Sequence, residues 1–408
     1  MNNQGSIIAF DVNNWYGPWM NRQQLFSRLA PRGWNIVYSN GQSTLWERNQ
    51  YIFKTLPFWA RHDLVNGVAV DVPGKAFASW PVITPWRWLS RFLHAQQLKR
   101  LSLKYSPQHN GARQPLIAYI FHPSFYPYVQ ILNPDYVVFH VRDAYPEEPG
   151  WTPKDQVVFE KLTDEADLII ASGQAMASCL PSRHKNRAVI IPNGADANAF
   201  INGTNTPCPD DLANIPHPQV CYAGRLNAKI DLPLLLELAQ NRPTYHFVII
   251  GIIVSAKSIK GHDAWLHAIE EIQKLPNVHY LGPKSPLDLP AYITRTDVNI
   301  MIYAIHAENA RWAKFCYPLK LHEYLAAGQP VVSSPLAAVA QFQDVVACAN
   351  TKEEWLHALD DAIKNGGIGT KEQRQATAQA NSWDERTKQL EKTIQTLIQD
   401  SEMASNNT

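Results

Sequence analysis

The residues best placed by type and spacing to do chemistry lie in KFCYPLKLHEYLAAGQPVVSS (314–334). Pro318 can open a helix at its first turn, and Gly328 can end it. Lys320 and Glu323 are three apart and would share a face near the helix start. The ammonium can meet a phosphate. The carboxylate can accept both hydroxyls of a ribose, as acidic residues do in dinucleotide sites. A surface ion pair is the plainer alternative. A second basic pair, Arg225 and Lys229, sits in AGRLNAKID (223–231), just after an apolar run and beside Gly224. On a helical turn the two would face one way and could clamp a diphosphate at a helix N-terminus. The alternative is two solvated cations.

The first half of the chain offers fewer such groups. His122 in FHPSFYP (121–127) follows an apolar run, where a polar contact to a substrate would sit. His140 and Asp143 in VVFHVRDAY close the next run. Three polar residues at two adjacent strand ends point to a shared site, although a lone His is more often a core or capping residue. Gly17-Pro18 in DVNNWYGPWMNRQQL (11–25) lies between a strand and a helix. Glycine there permits close backbone approach, and the helix amides favour an anion. One glycine is no dinucleotide fingerprint, and a tight turn explains it equally well.

These residues need elements to hold them. SIIAFDV (6–12), NIVYSN (35–40), PLIAYIF (115–121), YVVFHV (136–141) and DLIIAS (167–172) are short, near-continuous apolar runs, as parallel strands covered on both faces require. Amphipathic stretches such as 21–33 and 155–166 alternate with them. The pattern restarts at 220–224, 246–251, 278–282, 298–303, 329–334 and 344–349, again with helical stretches between. Two such series predict two doubly wound parallel-sheet α/β domains, with ligands beyond the carboxyl ends of the strands and in the cleft between the domains. The polar, Pro-rich stretch 201–218 marks the boundary. The expected division is an N-terminal domain 1–200, a C-terminal domain 201–380 and a final helix with its tail, 381–408.

Composition narrows the class. At 408 residues the chain can bury two cores, and 45% hydrophobic with 18% charged residues reads as globular. A formal net charge of +1 gives no electrostatic footprint for nucleic acid. Five scattered cysteines without a CxxC pair argue against a disulfide framework or a zinc site. The first residues run into a strand without a basic n-region, and no stretch approaches the roughly 18–20 apolar residues of a spanning helix. The expected setting is cytoplasmic, with no metal and no bound cofactor.

Four segments together resemble a known family. IPNGADANAF (191–200) is similar to its PNGVD…F segment, and YAGRLNAKIDLPLLLELA (222–239) to its GRL…K…LL.A clamp. TDVNIMIY (296–303) is similar to its ADV.L.P strand, and PLKLHEYLAAGQPVVSSPL (318–336), the most specific match, to PLKLFEYLAAGKPVVAT. Upstream, 19–38 and 159–177 resemble a subgroup whose N-terminal domain opens W…RxQQL..RLA. The order is that of the retaining GT-B glycosyltransferases that build bacterial polysaccharides and glycolipids. The resemblance implies two Rossmann-like domains, the N-terminal one for the acceptor and the C-terminal one for the donor. It implies a nucleotide-diphosphate sugar as donor substrate and metal-independent transfer with retention. Arg225 and Lys229 would stabilise the departing diphosphate, with His122 at the reacting sugar. Gly17 falls on the family's glycine loop. Gly224, Pro318, Leu319 and Lys320 would line the donor pocket, and Glu323 would hold the ribose. The last helix, near Trp383, would cross back to the N-terminal domain. The sequence departs from the family at Phe315, where a Glu facing the donor sugar is common; Asn309 is a candidate for a polar role there.

The implied acceptor is a glycan or a lipid-linked saccharide. PWRWLSRFLHAQQLKRLSLKY (85–105) mixes Trp, Leu and Phe with Arg and Lys, which suits the inner surface of an anionic membrane and a peripheral location. An ordinary helix covering the sheet is the alternative. Two further functions stay open: an epimerase of nucleotide sugars on the same fold, and a non-catalytic relative that binds a glycan or a partner enzyme.

Overall fold

The computed structural model describes residues 4–47, 50–80, 82–105, 114–148, 150–254, 263–306 and 308–406. The chain forms two compact units. The first comprises Met1–Ser172, Met176–Ile191 and Thr387–Thr408, and the second Gly173–Ala175 and Pro192–Arg386.

The first unit is built on strands β1 (Gly5–Phe10), β2 (Trp34–Ser39), β3 (Arg61–Val65), β4 (Val68–Val72), β5 (Leu116–Ile120), β6 (Tyr136–Val141), β7 (Leu168–Ala171) and β8 (Ala188–Ile190). Their order across the sheet is β3-β4-β2-β1-β5-β6-β7-β8. All neighbours are parallel except β3 and β4. The apolar runs become the central strands, and β1, β2 and β5 are buried at every position. The β3–β4 hairpin has no counterpart among the sequence-predicted strands. It turns on Asn66-Gly67, both with positive φ, the usual chemistry of a two-residue hairpin turn. Its outer strand, RHDLV, has no fully buried position and mixes polar with apolar residues, so no continuous apolar run announces it.

The sheet is covered by helices with identifiable signals. The helix expected over 21–33 runs Asn21–Leu29 and then tightens into a short 3-10 turn containing Pro31; Gly33 stops it at φ 96°. Helix Thr84–Lys104 turns Ser90, His94, Ala95, Leu98, Leu101 and Ser102 into the core, so it does cover the sheet. Helix Pro153–Glu165 opens on a reciprocal Thr152–Asp155 capping box. The terminal helix, Trp383–Asn406, joins this unit from Thr387 onward. Leu390 and Ile394 are fully buried. Between them Glu391 accepts from Arg32 Nη1 at 2.9 Å and Trp34 Nε1 at 3.1 Å.

The second unit has β9 (Gln219–Ala223), β10 (His246–Ile250), β11 (Val278–Gly282), β12 (Val298–Met301), β13 (Val331–Ser333) and β14 (Ala347–Cys348). The order is β11-β10-β9-β12-β13-β14, parallel throughout. Helices Leu232–Asn241, Asp263–Ile272, Lys320–Ala327, Lys352–Asn365 and Lys371–Ala380 pack around it. No described helix is long and apolar enough to cross a membrane.

In each sheet the chain winds one way from a central strand and then returns to build the other side. The reversal lies between β1 and β5 in the first sheet and between β9 and β12 in the second. Such switch points leave a crevice beyond the strand ends where ligands bind.

Candidate functional site

In the second unit, β9 ends at Ala223 and the chain enters Gly224 at φ 147°, a conformation that strains any other residue. Gly224 N donates to Ile250 O at 2.8 Å, binding the two strand ends together. Gly251 approaches so closely that a Cβ on it would fall 1.9 Å from Gly224 O. Gly251 is therefore required by backbone contact, and Gly224 by its positive φ.

The segment beyond Gly224 is not the helical turn expected from the Arg225–Lys229 spacing. It is an irregular loop, and the helix begins only at Leu232. Asp231 explains the delay. Its side chain caps the helix through Leu234 N at 3.1 Å, and Pro233 fills the first turn. Asn227 turns the loop by accepting from Lys229 N. Arg225 is exposed. Lys229 is half-buried, with Nζ 3.4 Å from Cys316 Sγ, and its carbonyl accepts from Ala304 N.

Helix Lys320–Ala327 starts two residues after Pro318, with Leu319 at its cap, and Gly328 ends it at φ 82°. Tyr324 fastens it to β9: its hydroxyl accepts from Ala223 N at 2.7 Å and donates to Ala223 O at 3.2 Å. Tyr317 fastens the start. Its carbonyl accepts from Asn193 Nδ2 of the PNG segment, and its hydroxyl pairs with His322 Nε2 at 2.9 Å. His322 is fully buried, and desolvation pushes it down to about 3, so it is a neutral core residue.

This scaffold carries Lys320 to the end of β9. Its Nζ lies 3.8 Å from the centroid of the Tyr222 ring and 5.9 Å from that of Tyr303. A Cβ on Gly224 would meet Nζ at 2.6 Å, so the glycine makes room for the lysine. Glu323 lies one turn on, but no ion pair joins it to Lys320 among the described residues. Burial pushes Lys320 down to about 7, with Glu323 opposing the shift. Burial raises Glu323 to about 7, with Lys320 opposing. The surface ion pair is thus replaced by two desolvated groups, each poised near neutrality. Phe315 is half-buried, with Lys314 Nζ 5.0 Å from its ring centroid. Asn309 is in the 3-10 turn Glu308–Phe315; its side chain lies outside the described residues.

In the first unit, the ends of β1, β5 and β6 converge on a charged cluster that sequence reasoning missed. Asp11, fully buried, meets Arg142 Nη2 at 3.0 Å and Arg22 Nε at 3.6 Å. Arg22 also donates to Asn14 O, Gln23 to Trp15 O and Asn40 to Asn13 O. The loop bearing Gly17 is thereby held, with Gly17 N donating to Asn14 O in a tight turn. Asp11 and Arg142 each stand at a strand's carboxyl end, and that position was their readable signal.

His122 follows β5 and is half-buried. Its Nδ1 accepts from Ser124 N at 3.2 Å, which leaves the ring proton on Nε2. Burial, reinforced by Arg142, lowers its pKa, so the neutral imidazole is favoured. Asp143 is more than one-third exposed, 3.5 Å from Arg142 Nε. His140 is not placed to touch a substrate. It sits inside β6, hydrogen-bonded to the Tyr119 hydroxyl at 2.7 Å and stacked on Phe121. Burial pushes it down to about 3. The strand continues through Val141, so position 140 faces the core.

The family described as "Glycosyl transferases group 1" matches residues 217–365, which include Gly224, Arg225, Lys229, Lys320 and Glu323. A Bacillus subtilis (strain 168) protein, TuaH, provisionally named a teichuronic acid biosynthesis glycosyltransferase, is 25% identical over 199 residues. That match covers 48% of this chain and 47% of the relative, so about half the relative's length is spanned. Among solved structures, sucrose-phosphate synthase of Thermosynechococcus elongatus aligns with TM-score 0.69 at 12% identity, covering 97% of this chain and all of that one. Anabaena HepE in complex with UDP and glucose aligns with TM-score 0.66 at 15% identity, covering 96% of this chain and 99% of the other. Residues 217–365 of the second unit thus resemble the group 1 glycosyltransferases, and the likeness to the solved structures shows the GT-B fold.

Proposed function

We propose that this protein transfers a sugar from a nucleoside-diphosphate sugar to a hydroxyl of a glycan or lipid-linked saccharide, with retention at the anomeric carbon. The observation that carries the reading is Lys320: an ammonium that forms no ion pair among the described residues, held at the switch point of the family-matched unit. Such a cation, with Arg225 and Lys229 on the neighbouring loop, suits a diphosphate. As the bond from the anomeric carbon to the diphosphate breaks, negative charge grows on the leaving oxygen. The bond to the acceptor oxygen forms, and the acceptor's proton passes to the leaving phosphate. In this reading basic side chains neutralise the departing charge. Glu323 takes the ribose hydroxyls. His122, with its proton on Nε2, serves as a hydrogen-bond donor to a sugar rather than as a base.

The test is product analysis with a panel of nucleotide sugars, each with and without saccharide acceptors. Acceptor-dependent release of nucleoside diphosphate supports the reading, and Lys229→Ala or Glu323→Ala should reduce it at least tenfold. Epimerised donor appearing without any acceptor would replace it with the epimerase.

A membrane-borne acceptor is favoured by one specific surface. Val82, Ile83, Trp88 and Leu89 are exposed at the start of helix Thr84–Lys104, which carries Arg87, Arg91, Lys99, Arg100 and Lys104 and no acidic residue. Arg91 and Lys99 are half-buried, against the Tyr128 ring and Leu132 O, so the exposed apolar groups beside Arg87, Arg100 and Lys104 are what fit an anionic bilayer. Sedimentation with vesicles containing phosphatidylglycerol should pull down the wild type and leave a Trp88→Ser/Leu89→Ser variant in solution. Equal recovery of both would remove the membrane from the reading.

A further inference from the structure

Tyr222 occupies an apolar strand, where an aromatic residue ordinarily fills the core. Its surroundings show more. The ring face lies under Lys320 Nζ at 3.8 Å, well inside the range of a cation–π contact. The hydroxyl of the same side chain donates to Arg225 O at 2.9 Å. One side chain therefore touches the ammonium of Lys320 and the backbone of Arg225, two residues assigned above to the diphosphate. Tyr303 supplies a second ring at the outer limit of the same interaction, and the segment around it is tied to the Lys229 loop, since Ile230 bridges Tyr303 and Ala304 N reaches Lys229 O. Gly224 leaves the space between. Residues 222 and 224 point to the same face of the strand, and a Cβ on Gly224 would also approach the Tyr222 hydroxyl, at 3.4 Å.

We infer that Tyr222, seconded by Tyr303, is a positioning residue: its ring seats the Lys320 ammonium for the donor diphosphate, and its hydroxyl fixes the backbone of Arg225. The inference rests on the proposed donor site. A desolvated lysine without an anion needs some compensating contact. A ring face offers one without forming an ion pair that the diphosphate would have to break. A carboxylate in that position would hold the cation more tightly but compete with the incoming anion. The tyrosine thus orients the lysine and leaves its charge available. Burial also holds the Tyr222 phenol far above its ordinary range, so it stays neutral.

A double-mutant cycle tests this directly, because a residue that acts through Lys320 has nothing left to do once Lys320 is gone. UDP, GDP and ADP are titrated calorimetrically into the full-length wild type, and the tightest is carried into Tyr222→Met, Lys320→Ala and the double variant. Methionine keeps most of the core volume; Tyr222→Leu runs through the same cycle should the first variant fail to fold. The expected result is about tenfold weaker binding for Tyr222→Met, against less than about twofold for the same change in the Lys320→Ala background. Tyr222→Phe keeps the ring and should stay within about threefold of wild type. An equal loss in both backgrounds, or none in the wild-type background, overturns the seat while leaving the donor site in place. So does a Tyr222→Phe loss as large as that of Tyr222→Met, which would put the effect on the hydroxyl. Lys320→Ala binding as tightly as wild type also overturns it. If the wild type binds none of the three diphosphates, the seat and the proposed function fall together.

Discussion

Nucleoside diphosphate binding should move protons, and the direction should reverse with pH. Lys320 in the free protein titrates near about 7, lowered by burial. At pH 8 only about a tenth of it carries a proton. A bound diphosphate favours the charged form and restores the amine toward its ordinary range. Binding at pH 8 should therefore take up about 0.9 proton at Lys320. Glu323 opposes this weakly. Its carboxyl is raised to about 7 and is about nine-tenths ionised at pH 8, so carboxylate binding to ribose releases only about 0.1 proton. The net uptake is about 0.8 at pH 8 and rises toward about 1 by pH 9, so by linkage the affinity for UDP should fall about eight-fold between them. At pH 6 the balance inverts: Lys320 is already charged, Glu323 is mostly protonated, and binding should release protons. The assay is calorimetry of UDP binding in two buffers of different ionisation enthalpy at each pH. Lys320→Arg keeps a permanent charge, so its uptake at pH 8 should vanish. Glu323→Gln should lose most of the release at pH 6, and what remains belongs to the phosphate of UDP itself. Uptake by the wild type below about 0.2 proton at pH 8, with UDP bound, would refute the desolvated lysine.

Lys320→Met should stabilise the unliganded protein while removing diphosphate binding, a trade expected where function needs a destabilised group. An amine whose folded pKa is depressed destabilises the fold. The penalty is complete below about pH 7 and is gone above the unfolded value near 10.5. The full shift corresponds to about 5 kcal/mol, and discounted for partial exposure a gain of about 2 kcal/mol at pH 6 should appear as a higher urea midpoint. A gain that fails to shrink toward pH 10 would contradict this origin. Gly251→Ala places a methyl group 1.9 Å from Gly224 O at φ 142°, and should cost about 3 kcal/mol or more together with UDP binding; near-wild-type melting would show that the two loops separate easily. Leu390→Ala, at a fully buried position in the terminal helix, should cost about 2–5 kcal/mol in denaturant titrations. A loss under about 1 kcal/mol would mean that the helix does not close the first core.

How much of this was legible depended on whether a residue's role lay in its neighbours along the chain or in its neighbours across the fold. The central strands announced themselves because burial on both faces demands unbroken apolar runs, as in β1 and β9. The β3–β4 hairpin lacked that signal, and only Asn66-Gly67 marked it. Strand β8 is three half-exposed residues, too short to form a pattern. Gly224, Lys320 and Glu323 were readable because glycine and charge are rare at a strand end or in the first turn of a buried helix, so their type already poses a question. Arg225 and Lys229 were readable as a pair, yet their four-residue spacing suggested a helix that Asp231 and Pro233 start later. His140 misled because the last residues of β6 are buried on both faces, so a polar type near a strand end did not mean an exposed side chain. Tyr222 posed no question at all: an aromatic residue in VCYAG looks like core packing, and in part it is. Its further role exists only because Gly224 yields space and Tyr324 pins a second helix so that Lys320 reaches over the ring. A buried cation that forms no ion pair among the described residues is where that kind of role can be found, since something in the fold must hold it, and here that something is the ring of Tyr222.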